Sequence, residues 1–223
     1  MGAVLDLVRV LFEPGAVFDR VRERPRVLVP LLTVMVVSLV LGFLARPYIV
    51  AAITAVMAQR PAGASGGPSP ETTATLQIVG SAVFLPLIVL IAAGILWIAV
   101  SLFGEQANYR KLLSVQVYSL TLYLLQAGAG LVVLGLRGVE SVSSPADLQP
   151  AFGLDLLVPN ATGYLGAVLK GINVFSIWGV VVQGIGVTRT HGTSRETGYG
   201  AAALAFVVSL LVFSLFALLQ PSS

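Results

Sequence analysis

The chain reads as an all-α protein, a polytopic transmembrane helical bundle of five spans preceded by an N-terminal amphipathic interfacial helix. Three observations predict this. Of the 223 residues, 57% are hydrophobic and 10% charged, whereas an ordinary soluble domain carries about 25% charged residues to clothe its surface. The mean hydropathy of +0.93 comes from separate apolar runs, most of them close to the roughly 20 residues that take a helix across hydrocarbon. All ten acidic residues fall between those runs or in the N-terminal arm.

Residues 1–26 form a cytoplasmic arm. Val4, Leu5, Val8, Leu11 and Phe12 make one apolar face, with Asp6 and Arg9 opposite, the pattern of a short helix lying among headgroups. Pro14-Gly15 breaks that helix, and a second stretch carries Val17, Phe18 and Val21 among charges. A single transmembrane domain is expected over 27–219. Its first span covers about 27–44, uncleaved because no small-residue processing site follows the run, and Arg46-Pro47 closes it. Tyr48 to Ala58 is too short to cross alone and reads as an interfacial helix or a bent continuation. Residues 61–70, rich in Gly and Pro, make a flexible external linker. The second span covers 77–103 with Pro86 as a kink, and the short polar turn after it makes the third span, 112–136, an antiparallel neighbour. Residues 137–171 form an external loop in which Phe152, Leu154, Leu156, Leu157 and Val158 can rest on the membrane. The fourth and fifth spans cover about 172–188 and 199–219.

Lysine and arginine are retained on the cytoplasmic side of a membrane. With the N-terminus inside, the cytoplasmic segments hold Arg9, Arg20, Arg22, Arg24, Arg26, Arg110, Lys111, Arg189 and Arg195, nine in all, against four outside: Arg46, Arg60, Arg137 and Lys170. The count predicts N-in, C-out. Arginine outnumbers lysine eleven to two, a composition typical of GC-rich bacteria, so the expected location is the bacterial cytoplasmic (inner) membrane. The formal charge of +3 follows topology rather than nucleic acid, since the basic residues form no long face. There is no cysteine, which removes disulfides and thiolate chemistry.

No carboxylate, histidine or basic residue lies within a predicted span, although proton- and ion-coupled transporters place such groups there. Neutral polar residues do occur. On the third span Gln116, Ser119, Tyr123 and Gln126 recur at spacings of three and four and so share a face; on the fourth, Asn173, Ser176 and Gln183 do the same. Interhelical hydrogen bonds account for such a pattern, and a polar cavity between the two spans is the functional alternative. Gly94, Gly128, Gly179, Gly184, Gly186 and Ala201 to Ala203 permit close backbone approach. Arg20, Arg22, Arg24 and Arg26, just before the first span, suit either topological anchoring or contact with anionic lipid, at about 1 kcal/mol per charge. His191, in the loop before the fifth span near Glu196, is an isolated exposed imidazole. No catalytic motif, metal cluster or cofactor fingerprint is present, and Asn160-Ala-Thr162 matches a glycosylation acceptor by chance spacing alone.

Leu11-Phe12-Glu13-Pro14-Gly15-Ala16-Val17-Phe18, then Arg24-Pro25 and Pro30 where the chain meets the membrane, resemble the Yip family, the Ypt/Rab-interacting membrane proteins, in its bacterial branch. So do Tyr109-Arg110-Lys111-Leu112 with Tyr118-Ser119, Asn173-Val174-Phe175-Ser176-Ile177-Trp178, and Gly184-Ile185-Gly186-Val187. The resemblance covers most of the chain and implies five helices with a cytoplasmic N-terminus. Eukaryotic members serve vesicle traffic and bind small GTPases through a longer cytosolic domain that has no counterpart here, so GTPase binding is not implied.

These readings together predict a non-enzymatic membrane protein, without cofactor or metal, that organises membrane phospholipids or partner membrane proteins, itself included as a homo-oligomer. The alternative is a permease or lipid-handling transporter with its cavity at Gln116, Tyr123, Gln126 and Asn173. An interfacial lipid enzyme using His191 and Glu196 ranks third.

Overall fold

A computed structural model describes residues 2–59, 67–158 and 161–215. Among them the chain forms eight α-helices: α1 (Gly2–Arg9), α2 (Pro14–Glu23), α3 (Leu28–Ala58), α4 (Pro70–Leu102), α5 (Tyr109–Arg137), α6 (Gly163–Gly171), α7 (Val174–His191) and α8 (Arg195–Ser214), with three 3₁₀ turns between α5 and α6. Helix is the physical answer to an apolar sequence in lipid, because it satisfies each backbone N–H and C=O within one segment. Four helices, α3, α4, α5 and α8, are long and apolar enough to cross a membrane. At 1.5 Å per residue, α3, α4 and α5 extend about 44–50 Å, well beyond a hydrocarbon core of about 30 Å. α7 is an 18-residue helix whose last turn holds Arg189 and His191.

Several expected boundaries shift. Arg46-Pro47 does not close the first helix: Pro47 lies inside α3, so the stretch from Tyr48 to Ala58 continues it. An internal proline removes one hydrogen bond of the helix, and the apolar residues on both sides hold the remainder. α4 begins at Pro70, seven residues before the expected span, because Pro suits the first helical position and Glu71 sits in the first turn. The expected loop at 137–171 instead contains the 3₁₀ turns Val139–Ser141, Pro145–Leu148 and Leu154–Leu156, and then α6. α8 begins at Arg195 rather than Tyr199, capped by Ser194, whose hydroxyl accepts from Thr197 N–H. Arg60, residues 61–66 of the linker, Asn160 and residues 216–219 of the fifth span lie outside the described residues.

The chain divides into two compact units. The first comprises the described residues of Met1–Thr33, Leu87–Tyr123 and Ala151–Ser223. Here Val17, Phe18 and Val21 of α2 are buried, with Phe18 edge-on to Tyr118 of α5 at a centroid distance of 6.4 Å. α2 also packs on α7, and α7 on α8. Gly186 of α7 makes this junction possible, since a Cβ there would stand 2.6 Å from Val115 Cγ1 and 3.1 Å from Phe18 Cζ. Gly198 does the same for α8, because a Cβ would run into the Thr188 hydroxyl and lie 2.8 Å from the Gly184 carbonyl. By contrast Gly94 and Gly179 meet nothing within 4 Å, so the small-residue pattern marks the α7–α8 contact and not every glycine.

The second unit comprises Val34–Pro86 and Leu124–Pro150. Its buried cluster of Ala52, Leu134 and Val142 is flanked by Tyr48, Ala51 and Leu148. The loop after α5 is ordered locally: the Asp147 carboxylate accepts from the N–H and hydroxyl groups of both Ser143 and Ser144 at 2.8–3.1 Å. Burial works to raise the Asp147 pKa, but these donors outweigh it and hold the carboxyl below its ordinary value.

Candidate functional site

The polar groups of the first unit converge at one end, where α1, α2, the α4–α5 turn and the α7–α8 turn meet. α1 and the turn after it direct Ala3, Asp6, Leu7 and Val10 inward and leave Val4, Leu5, Val8 and Phe12 exposed, Phe12 by 77%. Buried Asp6 is neutralised by Arg20 of α2, whose Nη2 donates to Oδ1 at 2.6 Å and Nε to Oδ2 at 3.4 Å. Such a two-pronged guanidinium–carboxylate contact fixes orientation as well as charge. It ties α1 to α2 with the apolar residues facing out.

Three contacts then join segments about 80 residues or more apart. The Asn108 N–H donates to His191 Nε2 at 3.1 Å. Lys111 Nζ donates to the Thr190 carbonyl at 3.1 Å, a cation on the negative end of α7. Arg189 reaches across Gly15 to Asp19 at 3.5 Å. His191, expected as an exposed loop residue, is instead the last residue of α7 and half-buried. Its Nδ1 lies 2.9 Å from the Thr190 hydroxyl, which donates to the Gly186 carbonyl. With Nε2 accepting, the neutral ring carries its proton on Nδ1. Burial, and then the nearby Lys111 ammonium, hold the His191 pKa below its ordinary value.

Two aromatic side chains brace the same end. Trp97 Nε1 donates to the Ala107 carbonyl at 3.1 Å and Tyr109 Oη to the Leu90 carbonyl at 2.9 Å. Half-exposed Trp and Tyr of this kind belong to the interfacial belt of membrane helices.

The structure sorts the residues singled out from sequence. Of the four arginines before the first span, Arg20 is committed to Asp6, while Arg22, Arg24 and Arg26 are exposed and make no ion pair among the described residues. Asn173 and Ser176 direct their polar groups at the start of α7: Asn173 Oδ1 accepts from Phe175 and Ser176 N–H, and Ser176 Oγ accepts from Asn173 N–H. This is a capping box. Ser119 donates to the carbonyl of Val115 in its own helix, and Tyr123 is exposed. Gln116 and Gln183 are half-buried, and among the described residues no hydrogen bond joins them or Ser119 to the α7 set. Gln126, in the second unit, is half-buried as well. Among the described residues no three His, Asp or Glu side chains are grouped to hold a metal.

The contacts of Asn108, Lys111, Arg189 and His191 were not read as a group from sequence. The signal that foretells them is topology, since the basic-residue count assigns all their segments to one side.

A Yip1 domain family model matches residues 8–218. Membrane protein YknW of Bacillus subtilis (strain 168) is 30% identical over 219 residues, covering 94% of this chain and 88% of its own length. No solved structure matches. The family match runs from the end of α1 through the apolar helices, and the chain is therefore a membrane protein that belongs to the Yip family.

Proposed function

We propose that this protein organises lipids or partner membrane proteins at the cytoplasmic face of a bacterial inner membrane, without catalysis, as a five-span bundle with its N-terminus inside and its C-terminus outside. The carrying observation is the segment of α1 and the turn after it. Its outward face is Val4, Leu5, Val8 and Phe12, its inward face is pinned by Asp6–Arg20, and Arg22, Arg24 and Arg26 follow unpaired among the described residues. An apolar stripe beside free arginines is the combination that holds an amphipathic helix on anionic lipid.

The fifth span draws support from chain direction. α5 leaves the basic end at Lys111 and α7 returns to it at Thr190, so a chain that crosses through α5 comes back through α7. At about 27 Å, α7 nearly matches the hydrocarbon thickness. N-in orientation follows from nine basic residues on the segments that meet there. Because the chain has no cysteine, single cysteines test it directly: E23C should react with a membrane-impermeant thiol reagent only in inside-out vesicles, and S143C only in right-side-out ones. The reverse pattern overturns the orientation.

Deleting residues 1–13 should leave membrane insertion intact and reduce co-flotation of the purified protein with anionic vesicles about tenfold or more. Unchanged co-flotation removes the arm from the function. The transport reading keeps one supporting observation, the half-buried Gln116 and Gln183 with no hydrogen-bond partner among the described residues; Asn173 and Ser176 lend it none, being occupied by the cap. Labelling of Q116C by a small polar thiol reagent within the membrane would favour a wet cavity, and protection of that cysteine would remove it.

A further inference from the structure

A cleft of about 380 Å³ opens beside the Asp19–Arg189 pair, lined by Asp19 and Arg22 of α2, Thr188 and Arg189 of α7, Gly192 and Thr193 of the turn, and Arg195 at the start of α8. Its volume falls at the lower end of the roughly 300–1,000 Å³ typical of small-molecule sites. Three guanidiniums face one carboxylate. The single ion pair, Arg189–Asp19, is long at 3.5 Å and half-exposed on both sides, so it contributes little and breaks at little cost. Arg22 and Arg195 make no ion pair among the described residues.

The three arginines arrive from separate segments, and the backbone adds to them. Ser194 caps α8 through Thr197 N–H, and the Gly198 N–H is taken by the Ser194 carbonyl. The N–H groups of Arg195 and Glu196, which precede them, have no such partner among the described residues and carry the positive end of the helix. Gly192, at φ 70°, turns the chain so that the last residues of α7 and the first of α8 share one wall. Guanidiniums in a concave setting next to a helix start match the planar, multi-oxygen charge of a phosphate, which arginine grips two bonds at a time.

We propose that this cleft binds a phosphate ester, with Arg22, Arg189 and Arg195 as its ligands and Thr193 as an accessory donor. The shared chemistry is a phosphoryl oxyanion, borne either by a lipid headgroup or by a soluble phosphate. The cleft stands without the amphipathic-arm reading, and so does either source of its phosphate, since none of its lining residues belongs to α1.

The test uses the full chain in neutral phosphatidylcholine nanodiscs. Inorganic phosphate should raise the melting temperature in a saturable way, whereas chloride at equal ionic strength should not. R189Q/R195Q should weaken apparent phosphate affinity about tenfold or more, and R195K, which keeps charge but not the two-pronged geometry, should fall between. The conservative variant also separates loss of ligand from loss of fold. Adding phosphatidate to the discs assigns the source: a stabilisation larger than that from phosphate, lost in R189Q/R195Q but retained when residues 1–13 are deleted, identifies a headgroup, and stabilisation by phosphate without any response to phosphatidate identifies a soluble ligand. An equal response to chloride, or full phosphate binding by R189Q/R195Q, overturns the site. Failure of the arm deletion to alter flotation would leave these outcomes untouched, so the two proposals fail separately.

Discussion

The unit that holds α1, α2, α7 and α8 and the unit built on most of α3, the start of α4 and the end of α5 are held by different means. In the first, polar atoms far apart in sequence meet: Asn108 with His191, Lys111 with Thr190, Asp19 with Arg189, and Asp6 with Arg20. In the second, the polar contacts of its loops are local, as with Asp147 and the two serines four and three residues before it, and the buried cluster is small. A helix whose surroundings are lipid needs few protein contacts, because lipid tails are as apolar as leucine. Where charged groups must leave water, each needs a named partner. The first unit is therefore where single substitutions should be felt, and where a ligand can be recognised.

The largest contrast should come from glycine. Gly186→Leu should destabilise the protein by about 1–3 kcal/mol, because Val115 and Phe18 already occupy the space. Gly128→Leu, in the second unit with nothing within 4 Å, should change thermal unfolding in detergent little. Equal effects would erase the distinction between the two units.

The next contrast is in pH. His191 titrates below its ordinary 6.5 in the folded protein, so above that value both folded and unfolded states hold it neutral. As pH falls below about 6.5 the unfolded chain takes up the proton first, and stability drops by at most about 1.4 kcal/mol per pH unit. His191→Gln should flatten the melting temperature over this window, while an Asp147 substitution should leave that slope as it is.

Asp6→Asn should cost about 1–2 kcal/mol, less than the ~3–5 kcal/mol of a fully buried pair, because the Arg20 side chain is 47% exposed and regains water. Limited proteolysis between α1 and α2 is the sensitive readout, and an unchanged cleavage rate would show that the apolar contacts suffice. Smallest is Asp147→Ala, which removes a charged acceptor from a surface turn. It should cost about 0.5–1 kcal/mol, visible as faster proteolysis at 143–148 without a shift at the basic end.

How much of this was legible beforehand differs by kind of residue. The long apolar runs gave α3, α4 and α5 at once, since span length is a property of the bilayer. Arg46-Pro47 misled because proline usually ends a helix and an arginine usually marks the border of a membrane span, whereas a long helix bridges one lost hydrogen bond when its flanks hold it. Asn173 and Ser176 looked like part of a polar face; spacing of three is shared by a helix face and a capping box, and only the extended backbone of Asn173 distinguishes them. Asp6 and Arg9 were expected together opposite the apolar face; Asp6 is buried and Arg9 exposed, and that Arg20 meets Asp6 depends on the turn between α1 and α2.

By itself, then, the sequence determined that this is an all-helical membrane protein whose charged residues lie mostly between long apolar runs, because hydropathy acts through the membrane whatever the packing. Only the tertiary structure decided which charges are spent on each other and which remain to meet a ligand. Arg20 is taken by Asp6 and Lys111 by the end of α7, while Arg22 and Arg195 stand open beside Arg189. That division depends on close approach of α2, α7 and α8, set by Gly186 and Gly198, over sequence separations that no local pattern encodes.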